Sequence, residues 1–356
     1  MIVFYAILVV LILYKIKLPL KSNSPVYDGV LFTDYMSIEK TTSVKGIFIF
    51  IVLICHASYY LTLTDSFLDR SFDYITFTAL SQSMVSMFMF YSGYGVMLSI
   101  EKKGANYIKS IPKNRVFKVL LHFDIAVLLY LILKLILKDY SFTIKQVLLS
   151  LIAWDSLENP NWYIFAIALL YLFTFISFIV FKNKKYFALS LNLILICAYI
   201  IIMHKYRGDW TWYNTVLCYF AGMLFYNIKP LLETILRKFQ FIYWILLVGF
   251  VFGVLFGIRF GSNLFITLAK HILFACVVIL VTMKFGINNK ILYFFGKNLF
   301  PMYILHRLPM IVFSKLGVDN KYIFVILSFA VTVLLCIGFN KVLSIIDNRL
   351  FKNKTA

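Results

Sequence analysis

Residues 162–181 read WYIFAIALLYLFTFISFIVF, twenty positions without a single charge. In water so much Phe and Ile would suggest a strand. In lipid an open strand leaves its backbone N–H and C=O groups unpaired, so a run of this length reads as a helix. About 20 apolar residues cross ~30 Å of hydrocarbon, which is the length of this run. Similar segments lie on both sides of it, near 1–18, 46–63, 76–99, 116–137, 186–204, 213–228, 241–258, 264–283, 298–316 and 322–344. The ~10-residue alternating segments of a membrane β-barrel are missing. The expected fold is all-α, a polytopic transmembrane helix bundle of about 10–11 spanning helices.

Composition agrees. Of 356 residues, 62% are hydrophobic and 14% charged, and mean hydropathy is +0.89. Soluble domains sit nearer ~45–50% and ~25%. A soluble enzyme, a nucleic-acid binder, a secreted disulfide scaffold and a disordered chain are all excluded on these figures. The net charge of +20 therefore reads as basic cytoplasmic loops, with membrane lipids rather than nucleic acid as the surroundings. With the N-terminus outside and the C-terminus cytoplasmic, the inner gaps hold 24 of the 35 Lys and Arg residues, Lys21, Lys352 and Lys354 among them. The expected division is an extra N-terminal transmembrane helix over 1–20, a membrane domain over 40–346 and a basic cytoplasmic tail over 347–356. The start lacks the basic leader of a cleavable signal peptide. The five cysteines form no CxxC pair and read as small buried hydrophobes, and no metal site is expected.

Titratable groups inside hydrocarbon are costly, so they are functional candidates. They are His56, His122, Asp124, Lys270, His271, His306 and Arg307, with His204 near a helix end. Lys45 and His56 are eleven residues apart, which places them on one helix face about 16 Å apart along the axis. That geometry suits an anion held at the mouth by Lys45 and a proton-handling imidazole near mid-membrane. Tyr303, His306, Arg307 and Met310 form a second stripe, bracketed by Pro301 and Pro309. Ser92 and Gly93 bring small residues to a helix. Lys113 and Arg115 stand in a basic loop, where they can grip phosphates. Asn161, Trp162 and Tyr163 open a helix, with Asn161 in N-cap position and the two aromatics suited to a membrane interface.

In this order the segments resemble the acyltransferase 3 family of membrane acyltransferases. The resemblance is carried by Lys45-Gly46 with His56, by Phe90-Tyr91-Ser92-Gly93-Tyr94, by the basic loop at Arg115, by Trp162-Tyr163, and by Gly296 with Tyr303 and His306. It runs from about residue 40 to 345. Lys45 stands where the family usually has Arg. The Trp162 segment lacks the carboxylate that many members carry. The helix before Lys45 looks like an addition to the usual ten.

The resemblance implies an O-acyltransferase of the bacterial cytoplasmic membrane. It would move an acyl group, most often acetyl, from cytosolic acyl-CoA (acetyl-CoA) to a sugar hydroxyl of a surface polysaccharide or lipid-linked glycan of the cell envelope. Lys45, Arg115, Lys113, Ser92 and Gly93 would then bind the donor. His56 would act as general base, with His306, Arg307 and Tyr303 beside it, and Asn161, Trp162 and Tyr163 on the acceptor. An acyl-His56 intermediate is also open. A transporter or flippase for a lipid-linked sugar is the alternative, for which discontinuous helices and an inverted repeat would speak.

Overall fold

The structure is a computed structural model that describes residues 1–18, 26–64, 66–182, 184–261, 263–287 and 289–351. Lys21, Lys352 and Lys354 lie outside these ranges. Helices follow one another from end to end: α1 Ile2–Leu13, α2 Ile38–Ser58, α3 Phe67–Asp73, α4 Ser83–Ile111, α5 Lys118–Ile136, α6 Ile144–Leu151, α7 Trp162–Phe181 and α8 Lys185–Tyr206. They continue with α9 Leu217–Lys238, α10 Gln240–Phe260, α11 Leu264–Lys284, α12 Lys290–Lys297, α13 Leu299–Leu305, α14 Arg307–Lys315 and α15 Lys321–Leu350. Among the described residues no sheet forms; the only β contacts are the isolated bridges Lys17–Gly286 and Tyr27–Phe32. This is the expected all-α polytopic bundle.

Eight helical stretches are long and apolar enough to cross a membrane. One of them, Phe67–Ile136, is 70 residues long. It contains α4 and α5, joined by a π-helical turn at Pro112–Phe117, so it accounts for two of the expected segments. Two others fall short of a full crossing. α1 has 12 residues, about 18 Å at 1.5 Å per residue, and lays Phe4 and Leu8 into the core. The segment near 298–316 is broken into α13 and α14. Pro309 has no N–H to give the Leu305 carbonyl.

Burial ranks the helices. The apolar window of α2 is 89% buried, that of α10 only 11%, so α2 is the central post and α10 faces outward. α2 also starts eight residues earlier than hydropathy suggests. Ser37 accepts from the Lys40 amide, and the Thr41 and Ser43 hydroxyls donate to the Ser37 and Glu39 carbonyls. These bonds satisfy a polar first turn that a hydropathy window penalises. His56 therefore sits in the last turn of α2, not near the middle of a span. Of the cysteines, Cys55, Cys218 and Cys336 are buried as expected and Cys276 is half-buried, but Cys197 is exposed on the outer face of the bundle.

α2 and α12 touch backbone to backbone. A Cβ at Gly46 would fall on the Leu292 carbonyl and lie 3.1 Å from the Gly296 amide nitrogen. A Cβ at Gly296 would fall on the Thr42 carbonyl and lie 3.0 Å from the Gly46 nitrogen. α4 and α9 cross in the same way, with Gly93 on Tyr219 and Gly222 on Phe90. Small residues allow such approach where no hydrophobic effect drives helices together. Gly46→Ala should lower stability in detergent by at least about 2–3 kcal/mol, since overpacking against backbone leaves nothing flexible to yield. Gly95→Ala, whose Cβ would meet nothing within 4 Å, should be neutral or stabilising by up to ~1 kcal/mol. Thermal unfolding of the two purified variants checks both.

Candidate active site

His56 ends α2 and His306 sits at the break between α13 and α14. Each lies ten residues beyond its crossing glycine, Gly46 or Gly296, so the helix contact brings the two rings together. They stack with centroids 4.7 Å apart, and His56 Nδ1 is hydrogen-bonded to His306 Nε2. His306 Nδ1 lies 2.9 Å from the Tyr303 carbonyl and 3.0 Å from the Met302 carbonyl. A carbonyl only accepts, so Nδ1 of His306 carries the hydrogen. In neutral His306 that leaves Nε2 as an acceptor, and the hydrogen between the rings belongs to His56 Nδ1. His56 Nε2 is then the free lone pair. This is the logic of a base oriented by a third group, with a second imidazole and a backbone carbonyl in place of a carboxylate.

A cavity of about 70 Å³ lies against His56, lined also by Tyr59, Thr76, Ser81, Gln82, Trp162 and Tyr303. The site is thus a meeting of helix ends: the last turn of α2, the first turns of α4 and α7, and the α13–α14 break. Tyr130 steadies the break by donating its phenol hydrogen to the Ile304 carbonyl at 3.0 Å. Tyr303 also lines a second cavity of about 110 Å³, together with Phe88, Tyr163, Ile167, Tyr171 and Phe300. The Tyr303 ring packs edge-on to Tyr163 at 5.5 Å. It forms the partition between the two spaces.

Arg115 does not line the second cavity itself but contacts Tyr171, which does. Its guanidinium stacks 5.9 Å from the rings of both Tyr107 and Tyr171, and Nε donates to the Tyr107 hydroxyl at 3.2 Å. Ser92 lies beside the Tyr163 and Tyr171 phenols. At the other end, Arg307 Nη1 donates to the Glu158 carbonyl at 3.2 Å, while its buried Nε has no partner. Glu158 holds a strained φ of 73°, and its carboxylate takes one arm of Lys134, 2.7 Å away. The other arm reaches the half-buried Asp139 at 2.8 Å and holds that carboxyl well below the usual range.

Several expected site residues lie elsewhere. Gly93 is filled by the Tyr219 backbone and offers no surface to a ligand. Asn161 spends its amide hydrogens on the Ala153 and Asp155 carbonyls at 3.1 and 2.9 Å, fixing the loop before α7 without capping the helix. Lys113 is exposed, 6.0 Å above the Phe351 ring. Lys45 is half-buried and lines neither cavity.

The remaining intramembrane candidates are mostly ties. His122 joins α5 to α15 through Asp347 at 2.8 Å, which also receives Lys118. His271 bonds Ser83 at 3.0 Å, and His204 bonds Tyr213 at 2.9 Å. Lys270 packs its stem on Gly257. Gln82, Thr76, Tyr171 and Tyr130 do not stand out in the sequence. The polar trio Ser81-Gln82-Ser83 inside an apolar segment is the visible signal for the first of these.

The acyltransferase 3 family, described as an acyltransferase domain, matches residues 42–341. That is 300 of the 356 residues, and the chain belongs to this family of membrane acyltransferases. No curated protein and no solved structure matches it. Family membership displaces the carrier reading, although the break at His306 is the kind of discontinuous helix that a carrier would show. No group of three His, Cys, Asp or Glu able to hold a metal occurs among the described residues.

The tautomer chain has a direct consequence. His306→Ala frees the His56 ring and should lower kcat on the order of 10²-fold, the usual effect of misplacing a reacting group by about 1 Å. His306→Asn, which keeps a carbonyl oxygen able to accept from His56 Nδ1, should recover part of that loss. Turnover of both variants at matched protein amounts checks it.

Proposed function

We propose that the chain is an integral membrane O-acyltransferase that moves an acyl group, acetyl in the simplest case, from cytosolic acyl-CoA to a sugar hydroxyl of a surface polysaccharide or lipid-linked glycan. The observation that carries the reading is His56 lining a cavity that polar and aromatic side chains share, with its Nδ1 tied to His306 so that Nε2 is left as the free lone pair. In this scheme the acceptor hydroxyl enters that cavity beside Trp162. His56 Nε2 takes its proton as the oxygen attacks the thioester carbonyl. The carbonyl oxygen gains charge near the Arg307 cation and the Tyr303 phenol, whose oxygen is buried without a partner and so is free to serve it. The tetrahedral intermediate then expels the CoA thiolate, which receives the proton from His56. Every proton is returned, and no covalent enzyme intermediate is needed.

In this scheme the second cavity receives the acyl end of the donor. That end would lie at Tyr303 and the donor's arm would run past Tyr163 and Tyr171, which are eight residues apart on α7, about 12 Å. Arg115 would meet the anionic nucleotide end, with Lys113 adding positive potential outside. Lys45, about 16 Å down α2 from His56, belongs to the same basic end. The excess of Lys and Arg in alternate loops supports a cytoplasmic placement of that end and of the C-terminus. Acceptor and donor then approach Tyr303 from opposite sides of the membrane.

Labelled acetyl-CoA given to membranes that carry the protein should deliver label to the glycan fraction. A carrier would deliver none. His56→Ala should cut transfer by ~10²–10⁴-fold, the contribution of a general base, with the amount of folded protein unchanged. Arg115→Ala should raise the KM for the donor about tenfold, equivalent to losing one charge-assisted bond, and should change kcat little.

A further inference from the structure

One wall of the His56 cavity is irregular for a reason. A π-helical turn, Tyr74–Leu80, stops at Ser81, whose amide closes on the Thr76 carbonyl at 2.9 Å. Ser81 has φ 46° and ψ −136°, and Gln82 has φ −72° and ψ −5°. These are close to the two central residues of a type II′ turn, whose first position normally belongs to glycine. Serine there is strained, and such strain persists where the surroundings need the backbone in that place. What it places is Gln82. Gln82 and Ser81 both line the cavity that His56 lines. Gln82 Oε1 is buried and has no hydrogen-bond partner, and among the described residues no bond is made by the Gln82 side chain. Thr76, its neighbour in the wall, is by contrast engaged by the Tyr5 hydroxyl at 2.7 Å.

A buried amide oxygen with no partner is costly unless a ligand completes it. The cavity, about 70 Å³, has room for a few water-sized groups. It admits the rim of one ring, not a whole sugar. His56 needs one hydroxyl of that rim. Gln82 Oε1 accepts hydrogens, so what completes it is a second hydroxyl on the same rim. The Trp162 indole offers an apolar face to the ring that carries both.

We propose that Gln82 is a specificity-determining residue. It binds the hydroxyl adjacent to the one that is acylated, so the site prefers vicinal diols to isolated alcohols. The proposal rests on the acyltransferase reading above and adds the acceptor pattern that this site selects. A site built to bond a substrate hydroxyl discriminates strongly against an analogue that lacks it.

The test uses the full-length protein in proteoliposomes with acetyl-CoA, and two small acceptors, cis-1,2-cyclohexanediol and cyclohexanol. The wild type should favour the diol by about tenfold or more in kcat/KM. In Gln82→Leu the ratio should fall to about two, the statistical value for two hydroxyls, while Gln82→Glu keeps an acceptor and should keep the preference. Ser81→Gly suits the same backbone and should fold at least as well. By loosening the turn it should lower the ratio several-fold, and it serves as the second variant if Gln82→Leu is not recovered folded. A wild-type ratio near two overturns the proposal. So does a tenfold ratio retained in Gln82→Leu, or in Ser81→Gly where the leucine variant does not fold. CoA release with neither alcohol acylated sinks the acyltransfer reading itself, and this proposal with it.

Discussion

The contact between Gly46 and Gly296 is the constraint on which the site depends. Two helices without Cβ atoms at one level come close enough for backbone to meet backbone. Each chain then runs ten more residues to an imidazole, and the two imidazoles meet as a bonded pair. In lipid this registration cannot come from hydrophobic collapse, because lipid tails are as apolar as the side chains. It comes from dispersion and close packing at a point where nothing else fits. The second glycine crossing, Gly93 on Tyr219 and Gly222 on Phe90, does the same for α4 and α9. It sets the level at which α4 begins and hence the position of Gln82. A motif glycine and a motif histidine are therefore two ends of one lever, and their spacing sets where the imidazole pair meets.

Placing the candidate site at helix ends solves a membrane problem. Helix interiors satisfy their own backbone groups, and helix ends do not. Where α2 stops, α4 and α7 begin and α13 gives way to α14, spare polar groups accumulate in a region shielded from lipid by the bundle. The site uses them. The Met302 and Tyr303 carbonyls hold His306, and the Glu158 carbonyl holds Arg307. Irregular backbone at this depth is tolerated where it lines a cavity, and Tyr74–Gln82 is such a segment. Replacing a carboxylate partner by a neutral imidazole also keeps net negative charge out of the pocket that a thioester oxygen would share with Arg307.

Much of this is legible in the sequence. The helical runs are plain from length and apolarity, and the spacing of Lys45, His56, Tyr303 and His306 carries the family. Helix starts are less legible: α2 begins in a polar stretch whose hydroxyls are satisfied by its own carbonyls, which no hydropathy window sees. His56 is accordingly expected too near the middle of a span. Gly93 looks like part of a ligand surface because small residues serve both to pack helices and to admit ligands, and only the three-dimensional packing separates the two uses. The His56–His306 pair spans 250 residues. Motif order hints at such a pair, but local pattern carries no information about a contact at that separation. Gln82 is harder still, since its meaning lies in the absence of a partner and in a strained serine before it.

Tyr303 ties these threads to direction. Its ring borders both cavities, so any carbonyl group reaching His56 from the Arg115 side must pass or displace it. An open channel there would let water reach a thioester beside an activated base, and hydrolysis would compete with transfer. A tyrosine packed edge-on against Tyr163 closes that route with a side chain that turns about two bonds, and its unpartnered hydroxyl holds it by no hydrogen bond that would have to break. In the proposed scheme the side chain that borders both cavities thus also stands where the oxyanion would form. In that scheme, separation of the cavities and stabilisation of the reaction between them fall to one residue, because Tyr303 lines both spaces.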